Sequence, residues 1–131
     1  MTPRFSEPLF VISVAARLVE MHPQTLRKYE REGLIAPSRT SGNLRLYSDS
    51  DIERLRQVKY LVEQRGLNLA GVQLALELTH QVQELKGRIE SATEGRKPSP
   101  VVGELDKLLE SLGFVDEHRL RDQQRRDHDH S

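Results

Sequence analysis

The first third of the chain carries a short run of apolar residues at helical spacing, Ala15, Ala16, Leu18 and Val19. Ser13 is a suitable N-cap for a first helix, which is predicted to end near residues 20–21. Pro23 occupies the favoured first position of a second helix over residues 22–32, and Gly33 suits its left-handed C-terminal cap. Two helices joined by so short a turn are typical of a DNA-binding helix-turn-helix.

After the second helix the pattern shortens into two extended runs. Residues 34–39 and 44–48 bracket the sequence Thr-Ser-Gly-Asn, whose residues tolerate the backbone of a tight turn. The pattern therefore predicts a small β-hairpin beside the helix-turn-helix, which would form a wing. Ser48 followed by Asp51 is the signature of a helix start and predicts a third helix that reaches about Arg65.

The spacing of apolar residues changes again in the fourth helix, which Asn68 is expected to cap. Six apolar residues are separated by alternating steps of three and four, the narrow seam of a coiled coil. The predicted seam consists of Ala75, Leu78, Val82, Leu85, Ile89 and Ala92. Such a stripe needs a partner helix. We expect a homodimer, although fewer than three full heptads would also allow the helix to fold back on its own domain.

The C-terminal third is predicted to contain a linker, an amphipathic helix from Val101 to Leu112 and a polar tail. The fold class is therefore mainly α: a winged helix-turn-helix followed by a dimerising coiled-coil helix and a short amphipathic helix. The predicted organisation is an N-terminal arm (1–10), the winged domain (11–78), the coiled coil (79–95), the linker with its helix (96–115) and a disordered tail (116–131).

Composition excludes several classes of function. The 131 residues include no cysteine, so disulfides, thiolate metal sites and nucleophilic thiols are excluded. The five histidines form no ligand set on a predicted scaffold, and no nucleophile, phosphate loop or carboxylate pair is arranged for catalysis. We therefore expect neither an enzyme nor a cofactor. Without an apolar run of membrane-spanning length or a signal-peptide pattern, the expected location is the cytoplasm, in association with the nucleoid.

The formal net charge of zero conceals an uneven distribution. Residues 1–48 carry seven lysines and arginines but four acidic residues, and the rest of the chain compensates for this excess. The basic residues cluster where a DNA reader would need them. In the second helix, Gln24, Thr25 and Lys28 are placed to reach base edges in the major groove. The candidate DNA contacts of this helix are His22, Gln24, Thr25, Arg27, Lys28, Tyr29 and Arg31.

The wing supplies a second group of candidates. Arg39 and Arg45 lie across the predicted hairpin from each other and, with the hydroxyl of Tyr47, could hold phosphates or a narrow minor groove. Arg17 of the first helix is a further candidate for a phosphate. The alternative is that the wing arginines are incidental, that Arg27 and Arg31 pair with Glu30 or Glu32, and that Tyr29 belongs to the core.

The stretch TLRKYEREGLIAP, followed by Arg39, Arg45, Tyr47 and the sequence DIERL, resembles the DNA-binding domain of the MerR family of transcription regulators. HPQTLRKYEREGL, RTSGNLRLYS and GLNLAGV are similar to the HspR heat-shock repressor branch of that family. In many relatives two adjacent tyrosines occupy the recognition helix, whereas Lys28 replaces one of them here. The turn before Arg45 also departs from the common Asn-Gly-Tyr-Arg pattern.

The resemblance implies a homodimer, joined by an antiparallel coiled coil, that binds an inverted-repeat operator with one winged domain on each half-site. RNA polymerase at the promoter would be the target of regulation. HspR-like repressors use the Hsp70 chaperone DnaK as co-repressor, which implies a chaperone-docking segment. The candidate segment contains Leu105, Leu108, Leu109, Leu112 and Phe114, whose leucines could equally pack on the coiled coil.

These features together predict a repressor of heat-shock genes. An activator that works by promoter distortion is the alternative within the family. A protein-interaction adaptor without specific DNA binding is the alternative from another class.

Overall fold

The computed structural model describes residues 7–97 and 99–115. Its helices are α1 (Ile12–Val19), α2 (Pro23–Arg31), α3 (Asp49–Glu63), α4 (Leu69–Ala92) and α5 (Pro100–Ser111). Its strands are β1 (Pro8–Val11), β2 (Ser38–Arg39) and β3 (Arg45–Ser48). The predicted fold class, a mainly helical winged helix-turn-helix, is confirmed. The predicted polar tail (116–131) and residues 1–6 of the predicted arm lie outside the described residues.

A third strand was not predicted from the sequence. β1 pairs antiparallel with β3, so the sheet has the order β1-β3-β2. The N-terminal arm predicted to end at residue 10 must therefore be corrected, because residues 8–11 belong to the sheet. The pairing gives β3 hydrogen-bonded neighbours on both edges, and Phe10 packs against the core.

The helix caps agree with the sequence in two of three places. Ser48 and Asp51 form the predicted capping box, with donor–acceptor distances of 3.0 and 2.9 Å. The Asn68 side chain caps α4 as predicted. The prediction for Ser13 is wrong: Val11 is the N-cap of α1 and makes no side-chain cap bond. The reason is that β1 leads directly into α1, so the strand decides where the helix begins.

The hydrophobic core joins α1, α2, α3, the sheet and the first half of α4. α3 is the central element, and its inward-facing side chains are buried from Ile52 to Leu61. The core side chains include Ala15, Val19, Leu26, Leu34, Tyr47, Leu55, Val58, Leu61 and Val72. Within residues 7–97 and 99–115, no helix is both long and apolar enough to cross a membrane.

The fourth helix and the predicted coiled coil form one continuous helix, α4, so the boundary expected between residues 78 and 79 lies inside it. α5 packs antiparallel against α4. At the middle of α5, Asp106 pairs with Lys86 at 2.8 Å, and just after its end the Leu112 carbonyl accepts a hydrogen bond of 2.9 Å from Gln57 of α3. The described chain therefore folds back on its own long helix.

This packing divides the predicted seam into two faces. Ala75, Val82 and Ile89 share a side of α4 with Lys86 and are wholly or partly buried. Leu78 and Leu85, by contrast, are 41% and 43% exposed, and Ala92 is exposed with them. The single stripe expected from the sequence is thus wrong in one respect: the amphipathic α5 of the same chain lies along half of it.

The same packing decides the alternatives left open for the leucines of α5. Leu105 and Leu109 are buried, and Leu112 packs against the core. Phe114 is half-buried. A docking site that uses Leu105, Leu109 and Leu112 is therefore contradicted, because these side chains pack within the chain itself. Leu108 is the exception, with 53% of its surface exposed.

Candidate nucleic-acid interface

The ends of α2 are fixed by its own sequence. The Nδ1 atom of His22 accepts a hydrogen bond of 3.0 Å from the Gln24 backbone N–H, so His22 is the N-cap of the helix. Pro23 follows at the first position, where its missing N–H costs no hydrogen bond. Gly33 ends the turn with φ of +78°, as predicted. His22, predicted as a DNA contact, thus has a structural role in starting the helix.

The two faces of α2 differ sharply in exposure. Leu26 is fully buried and Tyr29 nearly so, and these residues hold the helix against the core. The opposite face, which is exposed, contains Gln24, Lys28 and Arg31, and the half-buried Thr25 and Arg27 border it. The predicted base-reading residues therefore lie on the accessible side of the helix.

The charges on this face are largely unpaired. Arg27 and Arg31 form no ion pair with any residue that the structure describes, contrary to the alternative of intrahelical pairing. Lys28 lies 3.9 Å from Glu32, but 62% of the lysine side chain is exposed. Such a pair contributes little. The cations of α2 are consequently available to phosphates or bases.

Tyr29 is not part of this face. Its ring is 9% exposed, and burial raises the pKa of its hydroxyl, with the Glu32 and Glu63 carboxylates adding to the effect. Those carboxylates would repel a phosphate. The alternative that Tyr29 belongs to the core is correct.

The wing has the geometry that the sequence predicts. Arg39 and Arg45 are paired directly across the β2–β3 ladder. The turn between them is closed by a hydrogen bond of 2.9 Å from the Thr40 N–H to the Leu44 carbonyl, and Asn43 adopts φ of +66°. Asparagine is one of the few residues that tolerate this conformation. The two arginines are therefore presented side by side.

Tyr47 is buried, which contradicts its predicted role as a phosphate contact. Its side chain has no exposed surface, and burial followed by the Glu30 charge raises the pKa of its hydroxyl. Within the described residues that hydroxyl has no hydrogen-bond partner. The physical reason is strand alternation. Tyr47 lies on the same side of β3 as Arg45, which is the side that faces α2, and Tyr47 is the more deeply buried of the two.

Sequence reasoning missed the residue that joins the two surfaces. The Glu30 carboxylate accepts hydrogen bonds from Arg39 Nη2 at 2.6 Å and from Arg45 Nε at 2.5 Å. Burial alone would raise the pKa of Glu30, but the bonds from Arg45 and Arg39 outweigh burial and lower it. The sequence signal was an acidic residue in a basic cluster, and nothing in the local spacing identified its partners.

The remaining candidates are less closely grouped. Arg17 is exposed on α1, and its side chain makes no ion pair or hydrogen bond in the described ranges. No three potential metal ligands come together among the described residues, and His80 lies 3.1 Å from the Glu84 carboxylate on the same exposed helix face. His118, His128 and His130 lie outside the described residues. The arrangement best suited to binding is thus the α2 face with the wing.

Comparison with known proteins supports this assignment. A family model described as the MerR HTH family of regulatory proteins matches residues 10–79. Over 81 residues the chain is 56% identical to the heat shock protein HspR of Streptomyces coelicolor. The match covers 62% of this chain and 54% of that protein, so it spans about half of the relative's length.

Two further relatives match over longer stretches. The chain is 39% identical over 99 residues to the transcriptional regulator GlnR of Bacillus anthracis, covering 72% of this chain and 76% of GlnR. It is 28% identical over 110 residues to the transcriptional regulator ZntR of Escherichia coli, covering 79% and 76%. These relatives are transcriptional regulators rather than enzymes.

Proposed function

This chain belongs to the MerR family of helix-turn-helix regulatory proteins, and we propose that it is a homodimeric repressor of heat-shock genes that binds an inverted-repeat operator. It is a DNA-binding transcription regulator by family, and members of that family usually bind DNA as dimers. The repressor activity, the operator and the heat-shock targets are the proposal. Its site of action would be the cytoplasm.

One observation carries the DNA-binding part of the proposal: the exposed face of α2 and the two wing arginines form a single basic surface. Glu30 of α2 contacts both arginines, so the wing lies directly beside the helix. A helix of this kind fits the major groove, and its first residues reach base edges most easily. Gln24 suits adenine and Lys28 suits guanine, while the arginines suit phosphates.

The face of α4 that α5 leaves uncovered supports the proposed dimer. Leu74, Leu78 and Leu85 lie along that face and are 56%, 41% and 43% exposed. Leucines at this spacing on a 24-residue helix favour pairing with the same helix of a second copy. An antiparallel pair would relate two winged domains by a two-fold axis, which suits an inverted repeat.

The choice of targets rests on the similarity to HspR. We include DnaK as the co-repressor in the proposal, with RNA polymerase excluded from the promoter by the bound dimer. Leu105 and Leu109 are buried, so the proposed contact with DnaK does not use them. Repression measured with and without purified DnaK tests this part separately.

Footprinting on the promoter of the chaperone operon tests the central proposal. We expect protection of two symmetric half-sites and lower transcription from that promoter. Affinity should fall steeply with salt, and Arg39→Ala should weaken binding and reduce the salt slope by about one. Higher transcription would identify an activator instead. If the protein forms no discrete complex with any fragment, the adaptor alternative is correct.

A further inference from the structure

The Glu30 carboxylate is an unexpected feature of a surface meant for phosphates. It lies between α2 and the wing, with 20% of its side chain exposed, and holds Arg39 and Arg45 at 2.6 and 2.5 Å. A negative charge at this position repels DNA, and it neutralises part of the charge of the two cations. The electrostatic effect of Glu30 on DNA affinity is thus unfavourable.

The geometry of the contacts made by Glu30, by contrast, favours DNA binding. Arg45 bonds Glu30 through Nε alone, so neither of its terminal Nη groups is used for that carboxylate. Arg39 bonds Glu30 through Nη2 and, through Nη1, contacts the Asn43 carbonyl and side-chain oxygens at 3.3 Å. A continuous chain of hydrogen bonds therefore runs from the recognition helix to the turn of the wing.

We propose that Glu30 is a positioning residue for sequence-specific DNA binding. It fixes the wing arginines relative to the base-reading face of α2, so that both surfaces meet the duplex in one register. This inference rests on the proposed DNA-binding function. Immobilising two arginines before binding removes part of the ordering cost of association, and this gain exceeds the repulsion between Glu30 and the phosphates.

The two effects of Glu30 make opposite predictions, which a pair of DNA probes can separate. The specific probe is a duplex that the wild-type protein selects from a random 30-base-pair pool. The non-specific probe is an unselected random duplex of the same length, whose binding depends mainly on net charge. Fluorescence anisotropy gives the affinity for each probe over a range of salt concentrations.

For Glu30→Gln we expect binding to the selected duplex to weaken by about five- to tenfold. This corresponds to the free-energy cost of ordering one or two side chains on binding. Binding to the random duplex should be unchanged or tighter, because a negative charge has been removed. Glu32→Gln is the matched control: Glu32 lies at the same end of α2, and within the described residues its carboxylate forms one ion pair, with Lys28 at 3.9 Å. We expect it to tighten binding to both probes.

Glu30→Asp provides a second variant that keeps the charge but shortens the side chain. It too should weaken specific binding, while its thermal unfolding midpoint confirms that it folds. If Glu30→Gln and Glu30→Asp bind the selected duplex as tightly as the wild type, the positioning role is wrong. If the wild type selects no sequence and its binding is independent of salt, the proposed function itself fails.

Discussion

The wing is attached to α2, and α5 is attached to α3 and α4, but the two attachments differ in how far they are buried. The wing is tied to α2 by two ion pairs to Glu30, and all three side chains remain 20–35% exposed. α5 is held by buried apolar side chains, by hydrogen bonds from Gln57, which is 3% exposed, and by the Lys86–Asp106 ion pair, whose side chains are 11% and 26% exposed. The side chains of the first attachment therefore stay accessible to a ligand, whereas most of those in the second are closed to solvent.

α5 is anchored at its C-terminal end by hydrogen bonds and by a close backbone contact. The Gln57 amide donates one hydrogen bond of 2.8 Å to the Thr79 hydroxyl of α4 and another of 2.9 Å to the Leu112 carbonyl. Gly113 follows with φ of +80° and packs its backbone against the ring of Tyr60. α5 is therefore an integral part of the fold near the DNA-binding domain.

The largest expected effect in this comparison comes from Gly113→Ala. A Cβ at this position would lie 2.4 Å from Cδ1 of Tyr60, and the residue must also keep a positive φ. We expect a loss of about 2–5 kcal/mol in the free energy of unfolding, from backbone strain plus the steric clash. Urea unfolding of the variant and the wild type measures this loss in the free energy of unfolding.

Gly95→Ala is the matched control for that substitution. Gly95 has the same φ of +80°, but nothing lies within 4 Å of its Cβ position. This variant should lose only about 1–2 kcal/mol, the cost of the backbone conformation. Equal losses for the two variants would show that the contact between Gly113 and Tyr60 contributes nothing to holding α5.

An intermediate effect is expected for Gln57→Leu. The substitution leaves the Leu112 carbonyl without its donor, whereas the Thr79 hydroxyl retains its bond of 2.7 Å to the Ala75 carbonyl. We expect a loss of about 1–3 kcal/mol and faster hydrogen exchange in α5. Thr79→Val, which keeps the bond to Leu112, should cost less. Unchanged stability and exchange in Gln57→Leu would mean that the hydrogen bonds from Gln57 do not help to hold α5.

The distance along the chain between contacting residues explains what the sequence could and could not predict. The capping box at Ser48 and the left-handed Gly33 were predictable because each depends on residues a few positions apart. β1 was missed because its partner strand, β3, lies far along the chain. Ser13 was wrongly chosen as a cap for the related reason that the sheet decides where α1 begins.

The site was predictable to a similar extent. Helical spacing identified Gln24 and Lys28 as residues of one exposed face. It could not identify the pairing of Glu30 with the wing, since that contact depends on the tertiary packing of the hairpin. Likewise, the apolar stripe of α4 was evident, but sequence periodicity does not reveal whether α5 or a second copy covers each half.

The smallest expected effect is the contribution of the wing attachment to stability. Its ion pairs are partly exposed, so Glu30→Gln should change the free energy of unfolding by about 1 kcal/mol or less. The folded protein lowers the pKa of Glu30, and therefore this contribution is fully present above the pKa of the unfolded chain and is lost as pH falls through the folded value. Urea unfolding of wild type and Glu30→Gln between neutral and acidic pH should show the difference shrinking only on the acid side. A difference that stays constant through that range would mean that the Glu30 charge does not hold the wing.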